Sequence, residues 1–429
     1  MKRIVALLSA LVVVTGVSAQ QSINALFIGN SYTEVNNLPE MISNIAENIG
    51  DHIVYQSNTP GGCTFAQHCN NQSMTLIRNG GWDVVVLQEQ SQYPSFPQGQ
   101  VENEVFPYAK RLVDSIYANS PCAEPMFYMT WGRKNGDHNN AQYFPILGTY
   151  EGMDSMLYER YMYMAEANDA SVCPVGRVWH WLRRNSDIEL YQSDESHPSV
   201  AGTYAAACAF YTMFFHRDPN LITYRPNNLS EEHAQTIRNA ANIIVYTQME
   251  QWTRPLPNGD FDFEVSANGN VHFTTYIAQA DSALWDFGDG TTIQMPAADC
   301  ENGISHQYTD SGNFTVTLIA SRHCMSDTTI LTLNVDLPQD STITAIPEYS
   351  NVDPFTLFPN PAVDKITIQK NNDSDKCELH ILTNEGKEIK QYTICSYPTP
   401  IDISHFAAGK YLFLFKTANG TTTRMVVKL

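Results

Sequence analysis

A serine and an Asp-x-x-His pair are the residues of this chain best suited to chemistry. Ser31 follows an apolar run in a Gly-Asn-Ser segment, and Asp194 precedes His197 by three positions. A serine hydroxyl is a poor nucleophile until a neighbouring base accepts its proton, and an imidazole oriented by a carboxylate is the usual base. We therefore predict that Ser31, His197 and Asp194 form a catalytic triad for acyl transfer.

Each of the three residues has a more common structural role when it is considered alone. A serine after Gly-Asn is usually part of a turn or a helix cap, and Asp194 could cap a helix that begins near Pro198. His197 could be an ordinary residue of a surface loop. The prediction therefore depends on the presence of all three residues in one domain.

The segments around these residues alternate between strand and helix patterns. Short apolar runs, typical of strands buried on both faces, occur at 25–28, 53–55, 84–87, 126–129 and 172–178. Apolar residues at helical spacing lie between them, at 42–49 and 105–116. This order predicts an α/β domain with a parallel sheet, helices on both faces, and function at the carboxyl ends of the strands.

The order of these residues, with Ser31 first and the Asp-x-x-His pair last, resembles the SGNH (GDSL-like) hydrolase family over about residues 22–218. One departure is Asn30, which stands where the name-giving motif has aspartate. The resemblance implies a three-layer α/β/α domain with a flavodoxin-like sheet. It also implies a covalent acyl-enzyme, no cofactor and no metal ion.

The same resemblance implies an oxyanion hole formed by Ser31, Gly62 and Gln88. Gly62 lies in a Gly-Gly-Cys-Thr segment similar to the family's second block, whose glycine donates its backbone N–H. The asparagine of the third block is missing. Gln-Glu-Gln-Ser, which begins at Gln88, resembles the Gln-Gly-Glu-Ser of SGNH carbohydrate acetylesterases, so Gln88 takes the asparagine's place and Gln90 is the competing candidate.

Four further residues are candidates for substrate binding. Trp131 and Arg133 follow the fourth predicted strand, where an aromatic ring could stack on a sugar and a guanidinium could bind its hydroxyls or a uronate. Trp131 fits a half-buried core position equally well. Glu89 and Gln90 follow the third strand, and Glu89 could instead anchor its loop. His68, His138 and His180 have no metal-ligating partners at useful spacing and are predicted to be structural or exposed.

The N-terminus and the charge of the chain bear on its location and partners. Residues 1–19 combine a basic start, an apolar core and Val-Ser-Ala before the expected cleavage site, which is the order of a secretory signal peptide. No later stretch approaches the roughly 18 to 20 apolar residues of a membrane span. The 45 acidic and 25 basic residues give a formal charge of −20, which disfavours nucleic acid as a partner.

Two small all-β sandwich domains are predicted after the hydrolase domain at 20–256. Trp-Asp-Phe-Gly-Asp-Gly from Trp285 and Gly-Asn-Phe-Thr-Val from Gly312 resemble a PKD domain, assigned to 257–337. A linker at 338–352 leads to a domain at 353–429. Its Pro-Asn-Pro-Ala from Pro359, its Gly-Lys-Tyr strand and its basic end at Lys428 resemble the sorting domain of type IX secretion cargo. That resemblance implies partners in the type IX machinery and a secreted or surface-attached protein.

Nine cysteines in an exported chain favour disulfides over thiolate metal sites. Pairing by proximity in the sequence suggests the bridges Cys63–Cys69, Cys122–Cys173, Cys300–Cys324 and Cys377–Cys395. Cys208, in an alanine-rich helical segment, is then a small buried residue.

The sequence thus predicts a secreted serine esterase that removes acetyl or another short acyl group from carbohydrate. A lipid or acyl esterase of the same fold is the alternative within the enzyme class. A cell-surface glycan-binding protein without turnover is the alternative outside it.

Overall fold

The computed structural model describes residues 20–337, 355–370, 376–383, 386–417 and 420–429. The predicted signal peptide, 1–19, and all of the predicted linker, 338–352, lie outside the described residues. The chain forms two compact units that divide between Leu256 and Pro257, and His323–Met325 group with the first.

The first unit is built on a five-stranded parallel sheet, as predicted. Its strands are β1 (Ser22–Ile28), β2 (His52–Asn58), β3 (Val84–Leu87), β4 (Glu124–Tyr128) and β5 (Ser171–Cys173). The strand order is β2-β1-β3-β4-β5 with every pair parallel, which is the flavodoxin-like order. The carboxyl ends of β1 and β3 are neighbours, because Ile28 pairs with Leu87.

Helices cover both faces of this sheet. They are α1 (Ser31–Glu34), α2 (Leu38–Ile49), α3 (Phe65–His68), α4 (Gln72–Asn79), α5 (Gln98–Glu104), α6 (Phe106–Asn119), α7 (His138–Ala141), α8 (Tyr150–Asn168), α9 (Val175–Asn185), α10 (Val200–Phe215), α11 (Glu231–Ile244) and α12 (Met249–Trp252). Adjacent residues of β4 point to opposite faces. Phe127 accordingly contacts Phe65 of α3, whereas Tyr128 contacts Phe210 of α10.

The fifth predicted strand is too long. The apolar run at 172–178 contains the end of β5 and the first turn of α9, separated by Pro174. Proline cannot donate to the strand ladder, and a buried helix start is as apolar as a buried strand. The run therefore could not be divided by hydrophobicity alone.

The second unit is all β and contains two separate hydrophobic cores. Its strands are β6 (Asn258–Val265), β7 (Asn270–Ala278), β8 (Ser282–Asp286), β9 (Thr292–Pro296), β10 (Ile304–Gln307), β11 (Gly312–Arg322), β12 (Met325–Val335), β13 (Phe355–Phe358), β14 (Lys365–Lys370), β15 (Cys377–Thr383), β16 (Glu388–Ile394), β17 (Thr399–Asp402), β18 (Gly409–Thr417) and β19 (Gly420–Lys428). The sheets are β10-β7-β6 with β12-β11-β8-β9, and β13-β14-β17 with β16-β15-β18-β19. Trp285 and Phe273 lie in the first core, and Ile366 and Phe413 in the second.

The predicted disulfide pairings are wrong. Cys122 is bonded to Cys324, with their Cα atoms 4.9 Å apart, so neither Cys122–Cys173 nor Cys300–Cys324 forms. The other two pairs, Cys63–Cys69 and Cys377–Cys395, are free thiols. A disulfide requires close Cα atoms, and the fold provides them for Cys122 and Cys324 although these residues are 202 positions apart. Cys208 is free and buried, as expected.

None of the helices in the described ranges is long and apolar enough to cross a membrane.

Candidate active site

Ser31 lies at the carboxyl end of β1, as the first residue of α1. The turn before it is tight. A Cβ atom on Gly29 would lie 2.6 Å from Thr33 Oγ1 and 2.7 Å from Gln88 Oε1, so only glycine fits there. The carbonyl of Gly29 is hydrogen bonded to His68 Nε2 at 2.9 Å. The packing and hydrogen bonding of Gly29 therefore fix the direction of the chain after β1 and, with it, the position of Ser31.

Ser31, His197 and Asp194 lie together and are joined by hydrogen bonds. Ser31 Oγ is 2.9 Å from His197 Nε2, and His197 Nδ1 is hydrogen bonded to Asp194 Oδ2. The other oxygen of Asp194 accepts the backbone N–H groups of Ser196 and His197. The side chains of His197 and Asp194 are 32% and 46% exposed, so substrate can approach from solvent.

The Asp194 carboxyl is held in its charged form. Partial burial raises its pKa, but hydrogen bonds from His197 and from the N–H groups of Ser196 and His197 lower it, and the net pKa is below its usual value. A carboxylate that stays ionised can hold the Nδ1–H of the imidazole and leave Nε2 free to accept a proton.

Gln88 does not present its amide to solvent as the oxyanion prediction requires. The side chain is fully buried, and its Oε1 accepts Asn30 N–H at 3.0 Å and Thr33 Oγ1 at 2.9 Å. Its Nε2 donates to Asn30 Oδ1 at 2.8 Å and to the carbonyl of Glu89. Both donors of the amide are therefore used inside the protein, where the longer side chain of glutamine reaches the turn that carries Ser31.

Gly62 lies on an exposed loop at a positive φ of 67°. A Cβ atom on Gly62 would meet nothing within 4 Å, so steric crowding does not explain glycine at this position. The positive φ explains it, because residues with a side chain rarely adopt this conformation. This loop is joined to the turn that carries Ser31, because Asn30 Nδ2 donates to the carbonyl of Cys63 at 3.0 Å.

The side chain of Glu89 is directed into the protein and anchors its loop. It is fully buried, and its carboxylate accepts Phe65 N–H at 3.0 Å and Gln90 N–H at 2.6 Å. Burial raises its pKa to about 8, although the N–H groups of Gln90 and Phe65 oppose the shift. The expectation of substrate contact is wrong for this side chain because the strand end turns it inward.

Trp131 is also fully buried, so its ring is not exposed to contact a sugar. Its ring is stacked between Tyr32 and Trp179, and its Nε1 donates to the carbonyl of Ser196 at 3.1 Å. Trp131 is therefore a core residue, as in the alternative given for it, but it is fully buried and not half-buried. Tyr32 and Ser196, the residues directly after Ser31 and directly before His197, were not singled out by the sequence, although their positions beside the triad were a usable signal.

Gln90 and Arg133 are half-buried and remain candidates for substrate contact. Gln90 Nε2 donates to Gln92 Oε1 at 3.2 Å, and Arg133 pairs with the buried carboxylate of Asp137 at 3.3 Å. Gln92 also hydrogen bonds to Asp137, so the two candidates belong to one polar network.

The three histidines that the sequence predicts to be structural or exposed have different surroundings. His68 bonds to Ser73 and Gly29, His180 pairs with Asp154 at 2.8 Å, and His138 is exposed. Within the described residues, no group of three or more His, Cys, Asp or Glu side chains is placed to hold a metal ion.

A polar cavity of about 380 Å³ adjoins α1. Its lining consists of Thr33, Glu34, Asn37, Pro39, Ser57 and Thr59. Ser31 and Glu34 are three residues apart in α1 and so share a face of that helix. The lining offers hydroxyl, amide and carboxylate groups, and its only charge is negative.

Two family models match the second unit. Residues 262–335 match the PKD domain, and residues 356–428 match the secretion system C-terminal sorting domain. The chain therefore carries a PKD domain and a type IX sorting domain, and the latter marks it for export to the cell surface or the medium. No curated protein matches the chain.

Solved structures resemble the first unit over most of their own length. A DUF4886 family protein from Bacteroides uniformis is 17% identical, with a TM-score of 0.47, over 54% of this chain and 98% of its own. A putative SGNH hydrolase from Slackia heliotrinireducens is 26% identical, with a TM-score of 0.37, over 44% and 97%. An acetylxylan esterase from Geobacillus stearothermophilus is 14% identical, with a TM-score of 0.33, over 44% and 93%.

Replacing Gln88 with alanine should destabilise the protein. The change leaves buried groups of Asn30 and Thr33 without partners, and each such group costs about 1 to 3 kcal/mol. We expect the free energy of unfolding, measured by urea titration, to fall by several kcal/mol for Gln88→Ala. The half-buried Gln90→Ala control should lose less than about 1 kcal/mol. Unchanged stability with a kcat lowered by about 10²-fold or more would instead identify Gln88 as an oxyanion donor.

Replacing Glu89 with glutamine should change how stability depends on pH. The folded pKa of about 8 lies above the ordinary value of 4.5, so the folded protein keeps a proton that the unfolded chain loses between these values. The contribution of Glu89 to the free energy of unfolding is therefore greatest below about pH 4.5 and decreases as the pH rises toward 8. Melting temperatures of wild type and Glu89→Gln should diverge over this range, with the variant gaining relative to wild type. If the melting temperatures of the two proteins change in parallel with pH, the pKa of the Glu89 carboxyl is not raised in the folded protein.

Proposed function

We propose that this exported protein is a serine esterase that removes acetyl or another short acyl group from carbohydrate. The observation that carries the proposal is the continuous hydrogen-bonded chain from Ser31 through His197 to Asp194, at the carboxyl edge of a parallel sheet. A module that only binds glycans has no need for a nucleophile, a base and an orienting carboxylate in this arrangement.

The proposed reaction has two steps. Ser31 Oγ attacks the ester carbonyl while His197 Nε2 takes its proton, and the imidazolium then returns the proton to the departing alcohol. Water, deprotonated by the same imidazole, then attacks the acyl-enzyme; the acid is released and the imidazolium returns its proton to Ser31 Oγ. Asp194 keeps the imidazole oriented through Nδ1 and stabilises its positive charge.

The oxyanion would be held by backbone N–H groups of Ser31 and Gly62. Ser31 begins α1, and the first N–H groups of a helix have no partner within it. Gly62 lies on the exposed loop that Asn30 ties to the same turn. Because Gln88 uses its amide internally, it supports this hole by holding Asn30 and is not a third donor.

The polar cavity beside α1 supports an alcohol with several hydroxyl groups as the leaving group. Hydroxyl, amide and carboxylate groups can pair with sugar hydroxyls, and Glu34 disfavours an anionic sugar. Gln90, after β3, and Arg133, after β4, would contact the substrate from two further loops. The Gln-Glu-Gln-Ser resemblance to carbohydrate acetylesterases points to the same substrate class.

The domain limits are part of the proposal. Residues 1–19 would be removed as a signal peptide, 20–256 would carry the esterase, and 257–337 would act as a spacer or glycan-contacting module. The linker at 338–352 would precede a sorting domain at 353–429 that is cleaved after export.

Acetate release from a panel of acetylated polysaccharides tests the function directly. The secreted protein should release acetate from neutral polysaccharides faster than from uronate-rich ones. Ser31→Ala should lower the rate by about 10³-fold or more. Turnover of lipid esters alone would favour the acyl-esterase alternative. Saturable glycan binding with no Ser31-dependent turnover on any ester would favour the binding protein.

The rate should depend on pH through the imidazole. For a short p-nitrophenyl ester, kcat/KM should rise between about pH 5 and 8, because only a neutral imidazole can accept the proton of Ser31. Asp194 adds no second transition in this range, because its pKa lies below the usual carboxyl value. A rate that stays flat over this range while chemistry is rate-limiting would contradict histidine as the base.

A further inference from the structure

We propose that Tyr32 and Trp131 are positioning residues that hold His197 against Ser31. The inference rests on the proposed function, since it concerns the efficiency of the same triad. Neither side chain reaches solvent, and both converge on Ser196, the residue before the histidine.

Ser196 is held by two hydrogen bonds from different parts of the chain. Its backbone carbonyl accepts Trp131 Nε1–H at 3.1 Å, and its Oγ is hydrogen bonded to Tyr32 OH at 2.7 Å. Tyr32 directly follows Ser31 in α1. The Tyr32–Ser196 bond therefore joins the helix that carries the nucleophile to the loop that carries the base.

The two rings are themselves immobilised by packing. Trp131 is stacked on Tyr32, with centroids 4.7 Å apart and planes at 4°, and on Trp179, with centroids 3.7 Å apart and planes at 6°. The Tyr32 ring also meets the His197 ring edge to face at 5.4 Å. Pairs of this kind contribute beyond their buried area, so the stack forms a rigid support behind the imidazole.

The loop needs such support because its own residues are exposed. Asp194 and Glu195 are exposed, the His197 side chain is 32% exposed, and Glu195 adopts a positive φ of 61°. Backbone contacts such as Lys134 N–H to the carbonyl of Glu195 hold one side of the loop. The contacts of Ser196 hold the side that faces Ser31. A displacement of about 1 Å between reacting groups can cost about 10²-fold in rate.

A double-mutant cycle across the Tyr32–Ser196 bond tests the proposal. Tyr32→Phe and Ser196→Ala each remove one hydroxyl and keep the ring or the backbone carbonyl. Each should lower kcat on a short ester by about tenfold, with KM changed less than about twofold. The double variant should resemble either single variant, because the same interaction is lost. Trp131→Phe, which keeps a ring in the stack but loses the N–H, should also lower kcat selectively.

Tyr211→Phe is the matched control. Tyr211 is fully buried on α10, and its hydroxyl donates to Asp51 Oδ2 at 3.1 Å, away from the triad. It should lose comparable thermal stability while kcat changes less than about twofold. Additive single effects, or a kcat for Tyr32→Phe and Ser196→Ala equal to wild type, would overturn the positioning role.

Ser31→Ala, assayed in parallel, separates the two proposals. Ser31-dependent turnover with wild-type kcat in the cycle variants would contradict only the positioning role. Absence of Ser31-dependent turnover in the wild type would contradict the proposed function and, with it, the inference. If Tyr32→Phe does not fold, Ser196→Ala removes the same hydrogen bond by changing its half-buried partner. The kcat of Ser196→Ala then decides whether the bond has a positioning role.

Discussion

The reciprocal hydrogen bonds between Asn30 and Gln88 are the constraint on which the candidate site depends. Asn30 N–H donates to Gln88 Oε1, and Gln88 Nε2 donates to Asn30 Oδ1, at the neighbouring ends of β1 and β3. Asn30 Nδ2 also binds the carbonyl of Cys63, so three loops share one buried amide pair. Because the pair is shielded from water, breaking it would leave several polar groups unsatisfied. The turn that presents Ser31 follows from this arrangement.

His197, the proposed base, lies 166 positions after Ser31 in the chain and is brought next to it by the fold. His197 lies in an exposed loop, and the buried surfaces that hold this loop are aromatic: Tyr32, Trp131 and Trp179. The hydrogen-bonded pair of Asn30 and Gln88 therefore positions Ser31, whereas the aromatic stack is proposed to position His197. Tyr32 belongs to both parts, since it follows Ser31 in the chain and touches the loop before His197.

Residue type and order were enough to predict the parallel sheet and the positions of Ser31, Asp194 and His197 near its edge. They were not enough for Gln88, Glu89 and Trp131, because the residues after a strand end can turn toward solvent or toward the core. The sequence shows that a side chain is polar or aromatic, but its direction depends on partners such as Asn30 and Ser196 that only the fold brings close. The Cys122–Cys324 bond was missed for the same reason, since its two cysteines are 202 positions apart.

The central claim is that Ser31 is a nucleophile activated by His197. Labelling the secreted protein with a fluorophosphonate and mapping the modified peptide by mass spectrometry tests it most directly, because no natural substrate has to be known. We predict one label per chain, located on Ser31, that is lost in Ser31→Ala and strongly slowed in His197→Ala. Labelling at another residue, or equal labelling of wild type and Ser31→Ala, would contradict the account.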